Sequence, residues 1–380
     1  MIVDNQVRIP PQVIEAWQHA VIHFIPPQLK RKTVGHTDDA RVHFLIQQHA
    51  DALQTLWKAY TSERGSLGKY PTTSMAGAYP YLLGFHLPNA ARMELILERV
   101  WSEKRLSLEL LKPRAVAIYD LGVGTGAMSS TLVSHLIGRH GYSAESMQVE
   151  MVDRSGAFLD IARVVLSSQL AEERIRALKM SLDEYDLSRS LSFLKEAETV
   201  RFILLGYVWN EIEKNRRMVE PFLASLDRLA KSGSPAVIAF ADSSNEYQAR
   251  SAQQFRDVLA TMGYSPVYPC PSNGGCPMLE SEKDWCYSEG LWQQPVSMER
   301  LDKLLHVNRS RFATSGYLFV NPEAQQLMRA PVDRGQVVVG RPTIDVNGRY
   351  EYLLCTGSDI KRSPGDMLEQ LRGTRRAERK

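Results

Sequence analysis

Three of the chain's four cysteines sit close together, in Cys270-Pro271-Ser272-Asn273-Gly274-Gly275-Cys276-Pro277 and then Asp284-Trp285-Cys286. The fourth, Cys355, lies far downstream at the end of an apolar run. Two Cys-Pro steps, a Gly-Gly turn and a third thiol suit a segment that wraps around something. Four thiolates converging on one point make a tetrahedral zinc site or hold an iron–sulfur cluster. The spacing is not the Cys-x-x-Cys knuckle of most zinc ribbons. Two blander arrangements use the same residues: a buried, inert Cys355 beside three loop thiols, or a pair of disulfides. A reducing compartment, which so few and so clustered cysteines suggest, disfavours the disulfides.

A second chemical feature lies upstream. The apolar run Val116–Asp120 leads into Gly122-Val123-Gly124-Thr125-Gly126, and a helical pattern starts near Ser129. Gly122 allows the tight turn, and Gly124 lets backbone N–H groups approach a ligand with no Cβ in the way. A helix N-terminus behind the loop favours a negative group such as a carboxylate. Gly122 to Ala127 also fits the dinucleotide fingerprint G-x-G-x-x-A, so NAD must be weighed. Against it, the next strand-end acid, Asp153, comes 31 residues after Gly122, where the dinucleotide fold expects about 20.

The usual catalytic position of such a sheet follows its fourth strand. Here it reads Gly206-Tyr207-Val208-Trp209-Asn210-Glu211. Asn210 and Glu211 are weak catalytic candidates that could orient a substrate or simply cap the next helix. The Asn/Asp-Pro-Pro-aromatic signature of amino-group methylation is missing, and so is a cysteine to attack a pyrimidine. Methyl transfer from a sulfonium needs alignment more than acid–base help, so activity does not depend on a base here.

Around these residues the chain divides into four stretches. Residues 1–112 read as helical, with Val13, Ile14, Ala16, Trp17, Ala20, Val21 and Phe24 as an apolar face that Pro26-Pro27 ends, a second helix over Val42–Tyr60, and a third over Asn89–Leu106 with Asn89 as its cap. Tyr70–Pro80 reads as a loop, a lid or partner surface at its sharpest. Residues 113–265 alternate strands (Ala115–Asp120, Gln148–Asp153, Phe202–Val208, Ala236–Ala241) with helices, the pattern of a parallel sheet covered on both faces. Residues 266–312 hold the cysteine segment. Residues 313–380 form a small β appendage, with Tyr317–Val320 as one strand and a hairpin at Asn347-Gly348, and a basic tail from Arg372 to Lys380.

Composition adds limits. Apolar content of 44%, charged content of 23% and a net charge of +3 describe an ordinary globular chain and name no partner. The basic clusters Lys30-Arg31-Lys32 and Arg372–Lys380 suit phosphate or merely solvated ends. No stretch has the ~18 apolar residues of a membrane helix, and the start carries no signal or transit pattern. These features together place the protein in the cytoplasm.

The glycine loop with its strand-end acids resembles the first motifs of the class I S-adenosylmethionine-dependent methyltransferases. The resemblance implies that Asp120, Gly122, Gly124 and Gly126 cradle the methionine part, that Asp153 bonds the ribose hydroxyls, and that Asp183 reaches the adenine amine. Over roughly residues 70–365 the order of parts resembles the methyltransferase-like proteins of mitochondrial small-ribosomal-subunit assembly and their bacterial relatives. The likeness runs through Leu205–Glu211, Pro269-Cys270-Pro271, Cys276-Pro277, Asp284-Trp285-Cys286, Ser315–Leu318, Leu354-Cys355 and Lys361-Arg362. It implies that Cys270, Cys276, Cys286 and Cys355 ligate a four-iron, four-sulfur cluster, with zinc as the alternative metal. It also implies S-adenosylmethionine as cofactor and the small ribosomal subunit or its RNA as partner. Departures are Tyr287 where relatives carry His, Ala241-Asp242-Ser243-Ser244 where they often read Glu-Pro-Gly, and Pro364-Gly365-Asp366 in place of Trp-Gly-Asp. The implied fold is α/β: a Rossmann-like methyltransferase sheet with an N-terminal helical region and a small C-terminal β appendage.

Three functions follow from these residues. The first is an S-adenosylmethionine-binding ribosome-assembly factor or rRNA methyltransferase. The second is a small-molecule methyltransferase in which the four-cysteine site is structural. The third is a redox or iron sensor that uses the cofactor for stability alone.

Overall fold

Apolar residues at helical spacing bury one side of α1 (Pro11–His23), where Val13, Ala16, Trp17, Ala20 and Val21 are all inside. The computed structural model that shows this describes residues 6–61, 73–102, 106, 114–185, 199–328, 336–344 and 347–364. Residues 70–72 of the expected loop and the basic residues 372–380 lie outside them. A two-residue strand, β1 (Gln6–Val7), precedes α1, and Pro27 opens the short α2 (Pro27–Lys30). The stretch expected as a single helix over Val42–Tyr60 is two, α3 (Asp38–Gln48) and α4 (Ala50–Thr61), which break at His49. Thr37 caps α3, accepting from the Ala40 N–H at 3.4 Å.

The expected cap at Asn89 and the expected loop up to Pro80 both give way to one long helix, α5 (Met75–Ser102), which runs through Pro80 and Pro88. Pro88 has no N–H for the Gly84 carbonyl four residues back, and proline inside a helix ordinarily breaks it. Here Arg309 Nη1 donates to that carbonyl at 2.6 Å. Burial of Leu82, Leu83, Leu87, Ala90 and Ala91 holds the helix on both sides of the proline.

Next comes the alternating α/β stretch. Its elements are β2 (Ala115–Leu121), α6 (Ala127–His140), β3 (Met147–Asp153), α7 (Gly156–Ser167), β4 (Ile175–Lys179), β5 (Thr199–Gly206), α8 (Trp209–Ile212), α9 (Arg216–Ala230), β6 (Ala236–Asp242), α10 (Glu246–Thr261) and β7 (Ser265–Tyr268). They are followed by β8 (Ser288–Trp292), α11 (Val296–Leu305), β9 (Arg311–Val320) and α12 (Pro322–Gln326). The main sheet runs β1-β8-β9-β6-β5-β2-β3-β4, with β7 also pairing to β9. Strands β2 to β6 are mutually parallel. β9 is antiparallel to β6, β7 and β8. That reversed strand beyond the fifth parallel one separates this sheet from the all-parallel dinucleotide order and removes the ground for NAD.

The C-terminal elements β10 (Val337–Ile344), β11 (Tyr350–Cys355) and β12 (Ile360–Pro364) form a separate antiparallel sheet. The expected hairpin is there: Ile344 pairs with Tyr350, and Gly348 adopts a left-handed φ of 77°. The run Tyr317–Val320, expected in this appendage, belongs instead to β9 of the main sheet. Its residues are buried on both faces, as a central strand requires.

Helices cover both faces of the main sheet. Ile118, Phe202 and Leu204 face a core shared with Met93, Ile96 and Leu132 of α5 and α6. Tyr119, Ile203 and Phe240 face Leu226, Phe255 and Leu259 of α9 and α10. The C-terminal ends of β2, β3, β5 and β6 therefore share one rim, where ligands bind in such sheets. Among the described residues no helix is long and apolar enough to cross a membrane.

Candidate functional site

The glycine loop emerges from β2 with Gly122, Gly124 and Gly126 at φ values of 69°, 52° and 77°. A Cβ on Gly122 would stand 2.7 Å from Val208 Cγ2, whereas one on Gly124 would meet no atom within 4 Å. The loop is thus packed at its first glycine and open at its second. Asp153, at the end of β3, braces it: Oδ2 accepts from Gly124 N–H at 2.9 Å and Oδ1 from Ser155 N–H at 2.8 Å. Asp120 is buried below, where Oδ2 accepts from the Ser129 N–H of α6 at 3.2 Å. The anion expected at this helix end is therefore supplied in part by the chain itself. Burial pushes the Asp120 carboxyl up to about 7, with its bonds to Ser129 opposing and Asp153 adding to the rise. Burial also raises Asp153, against the pull of its backbone bonds. Asp183 sits exposed in the turn after β4, and the Met180 N–H in that turn donates to the Asp153 carbonyl at 3.1 Å.

Two contacts to this loop went unread in the sequence. His86, wholly buried in α5, bonds through Nδ1 to Thr125 Oγ1 at 3.0 Å. Burial drops its pKa to about 3, so the ring is neutral. Nothing marks a lone histidine in an apolar helix as a loop partner before the packing is known. Tyr207 follows β5 with φ at 61°, a left-handed value rare for a side-chain-bearing residue, and its N–H is fixed to the Ala241 carbonyl at 2.8 Å. Trp209 is a wall residue, stacked on Phe255 with ring centres 4.0 Å apart and donating to Ser251 Oγ at 2.9 Å. Of the two catalytic candidates, Asn210 is half-buried, while Glu211 is exposed and 3.9 Å from Arg154.

The thiols converge. Cys270 follows β7, Cys276 opens the short 3₁₀ turn Pro277–Glu280, Cys286 precedes β8 and Cys355 ends β11. All four line one cavity, together with Arg256 of α10 and Tyr317 of β9. None is in a disulfide. Among the described residues no three His, Cys, Asp or Glu side chains gather as they would around one metal ion. Burial pushes the Cys276 thiol up to about 12, with repulsion from Cys270 adding to it. Burial drives Cys286 well above its ordinary value, and the other three thiols reinforce the rise. An apolar hollow of this kind resists four thiolates unless positive charge enters with them.

One such charge is built in. Arg256 is 2% exposed; its Nη2 donates to the Ser272 carbonyl at 2.8 Å, and its Nη1 to the Gly274 carbonyl and to Asp257. Cys270 also bonds to it. Asp257 in turn accepts the Cys276 N–H at 3.1 Å through each oxygen. The cavity is also the seam of the fold: Met278 and Cys286 from the body pack with Val339 and Leu353 of the small sheet. Ser272 Oγ donates to the Gly357 carbonyl at 2.9 Å, and Arg362 pairs with Asp284 at 2.8 Å.

Comparison with known proteins locates this architecture. Similar solved structures include a S-adenosylmethionine-dependent methyltransferase of Aquifex aeolicus (17% identity, 46% of this chain and 83% of that one, TM-score 0.29). A TehB-like S-adenosylmethionine-dependent methyltransferase of Corynebacterium glutamicum is 16% identical over 59% and 92% of the two chains, with a TM-score of 0.29. A methyltransferase of Geobacter sulfurreducens, solved with S-adenosyl-L-homocysteine, is 12% identical over 59% and 90%, with a TM-score of 0.31. At these scores the fold rests on the strand order, which is that of a methyltransferase-like α/β sheet. Among curated proteins no sequence matches. The profile of the family described as mitochondrial small ribosomal subunit Rsm22 matches residues 96–362, which include the glycine loop, the turn after β5 and all four cysteines. That name points to mitochondria rather than to the cytoplasm expected from composition. The chain is a member of the mitochondrial small ribosomal subunit Rsm22 family.

Proposed function

We propose that this protein binds S-adenosylmethionine and acts on the small ribosomal subunit, methylating its RNA or assisting its assembly, with a thiolate-held inorganic centre locking the small sheet to the body. The observation that carries the reading is the cradle at Gly124. An open, Cβ-less position faces the rim of a methyltransferase-ordered sheet, with a buried strand-end acid on either side of it. In this reading the loop of Gly122, Gly124 and Gly126 above Asp120 takes the methionine part. Each Asp153 oxygen accepts one backbone N–H and keeps a lone pair for a ribose hydroxyl. Asp183, in the turn tied to Asp153, stands on the adenine side. When bound, S-adenosylmethionine supplies an electrophilic methyl group; the chain's own task is to align the acceptor and exclude water.

Cys270, Cys276, Cys286 and Cys355 would hold the inorganic centre. The donor set is all thiol, with no carboxylate or imidazole in the cavity lining, which suits iron–sulfur chemistry. An all-thiol set also suits a structural zinc ion, which is the alternative centre. The centre's role here is structural charge: positive metal offsets the thiolates that the hollow otherwise rejects.

Crosslinking the full chain, purified without oxygen, and sequencing the bound RNA tests the proposal. Enrichment of small-subunit ribosomal RNA, lost steeply with added salt as phosphate contacts dictate, is expected. RNA recovery no higher than for an unrelated protein would overturn the ribosomal role.

A further inference from the structure

Helix α5 turns a second face toward the same rim. Tyr81, Phe85, Asn89 and Arg92 recur at helical spacing and are all half-buried, while Leu82, Leu83, Leu87, Ala90 and Ala91 behind them are buried. The face is internally tied. Asn89 Nδ2 donates to the Tyr81 hydroxyl at 3.2 Å, and Arg92 Nη1 donates to the Pro88 carbonyl at 2.9 Å and to Asn89 Oδ1 at 3.4 Å. Its N-terminal half packs on α4, where Tyr81 stacks on Phe85 with ring centres 4.9 Å apart and meets the Tyr60 ring edge-on at 5.5 Å. At one end Tyr81 meets Phe158 edge-on, ring centres 5.3 Å apart, in the first turn of α7 just after Asp153. At the other end the Arg92 guanidinium lies 6.0 Å from the Tyr207 ring and 5.6 Å from that of Phe312. Between them His86, on the buried side of the same helix, fixes the face to the glycine loop.

We propose that this face binds the acceptor as one unstacked nucleotide of an RNA strand. The base lies against the Tyr207 ring, the Asn89 amide meets its edge, and Arg92 meets its phosphate. Unstacked RNA bases are recognised in this way, by aromatic and guanidinium planes together with an amide that reads polar edges. The left-handed backbone at Tyr207, with φ at 61°, fixes where the half-buried ring leaves the end of β5. The inference rests on the reading that RNA is the target, and it adds which residues touch the reacting nucleotide.

The test uses the full chain, a fluorescein-labelled single-stranded RNA of mixed sequence, and S-adenosylhomocysteine as the cofactor probe. Asn89→Leu and Arg92→Met should each weaken RNA binding about tenfold, the loss expected for one base-edge or phosphate contact. S-adenosylhomocysteine affinity should stay within about twofold, which shows that the variants remain folded around the glycine loop. Arg92→Met should also lower the salt slope of RNA binding by about one, a change that a purely structural role would not produce. Arg92→Lys, which keeps the charge, should restore the slope and only part of the affinity. If wild type binds the RNA and both variants match it in affinity and slope, the inference fails while the RNA reading stands. If wild type binds no RNA, or a peptide substrate takes its place, the RNA reading fails and this inference with it.

Discussion

Replacing Arg256 with Met removes a buried guanidinium that ties α10 to the cysteine segment. The side chain is 2% exposed and holds the carbonyls of Ser272 and Gly274, the Asp257 carboxylate and the Cys270 thiol at once. Hydrogen bonds to a charged group contribute about 1.5–3 kcal/mol each, and breaking a buried pair costs about 3–5 kcal/mol. Asp257 is about a third exposed, so water screens its share of the loss. The two carbonyls gain no other donor from methionine. These terms place the loss near 3 kcal/mol. Guanidinium unfolding of the metal-free chain measures it, and hydrogen exchange over residues 270–286 locates it. Arg256→Lys should lose about half as much, because one ammonium cannot span both carbonyls. A loss for Arg256→Met below about 1 kcal/mol, with exchange over 270–286 unaltered, would refute the claim that this residue anchors the segment.

Other perturbations probe the loop and the thiols. His86 is neutral in the fold, with a pKa of about 3 against an ordinary 6.5. The unfolded chain takes up a proton there first, so stability falls as pH drops from 6.5 toward 3, by ~1.4 kcal/mol per unit from this group. His86→Gln should remove that part of the slope, and identical slopes for the two proteins would contradict the assignment. Gly122→Ala puts a Cβ 2.7 Å from Val208 Cγ2 at a φ of 69° and should destabilise by about 2 kcal/mol; an unshifted melting curve would be the contrary result. Cys276→Ser, purified without oxygen beside wild type, should lose most of its bound iron or zinc by mass spectrometry. Full metal content in the variant would remove Cys276 from the ligand set.

Legibility followed the range of the forces involved. Strand β2, the glycine loop and the Asn347-Gly348 hairpin are local events, set by apolar runs and by left-handed glycine positions, and the residues announce them. Helix α5 was misread because Pro80 and Pro88 are breakers by local rules. The group that offsets Pro88 is Arg309, more than two hundred residues away. The place of β9 in the main sheet was hidden for a related reason. Tyr317–Val320 is short and apolar, and only its pairing to β6 tells a central strand from an appendage. The four thiols drew notice by their spacing, whereas Arg256, which neutralises their surroundings, reads as an ordinary charge in an amphipathic helix. His86 likewise acquires meaning only once α5 lies across the loop.

The cofactor cradle is tested most directly by calorimetric titration of S-adenosylhomocysteine into wild type and Asp153→Ala. One-to-one saturable binding to wild type, lost in the variant while its circular dichroism still reports a folded chain, is the predicted result. Absence of binding to wild type, or undiminished affinity in Asp153→Ala, would contradict the assignment of this loop and acid to an adenosyl ligand.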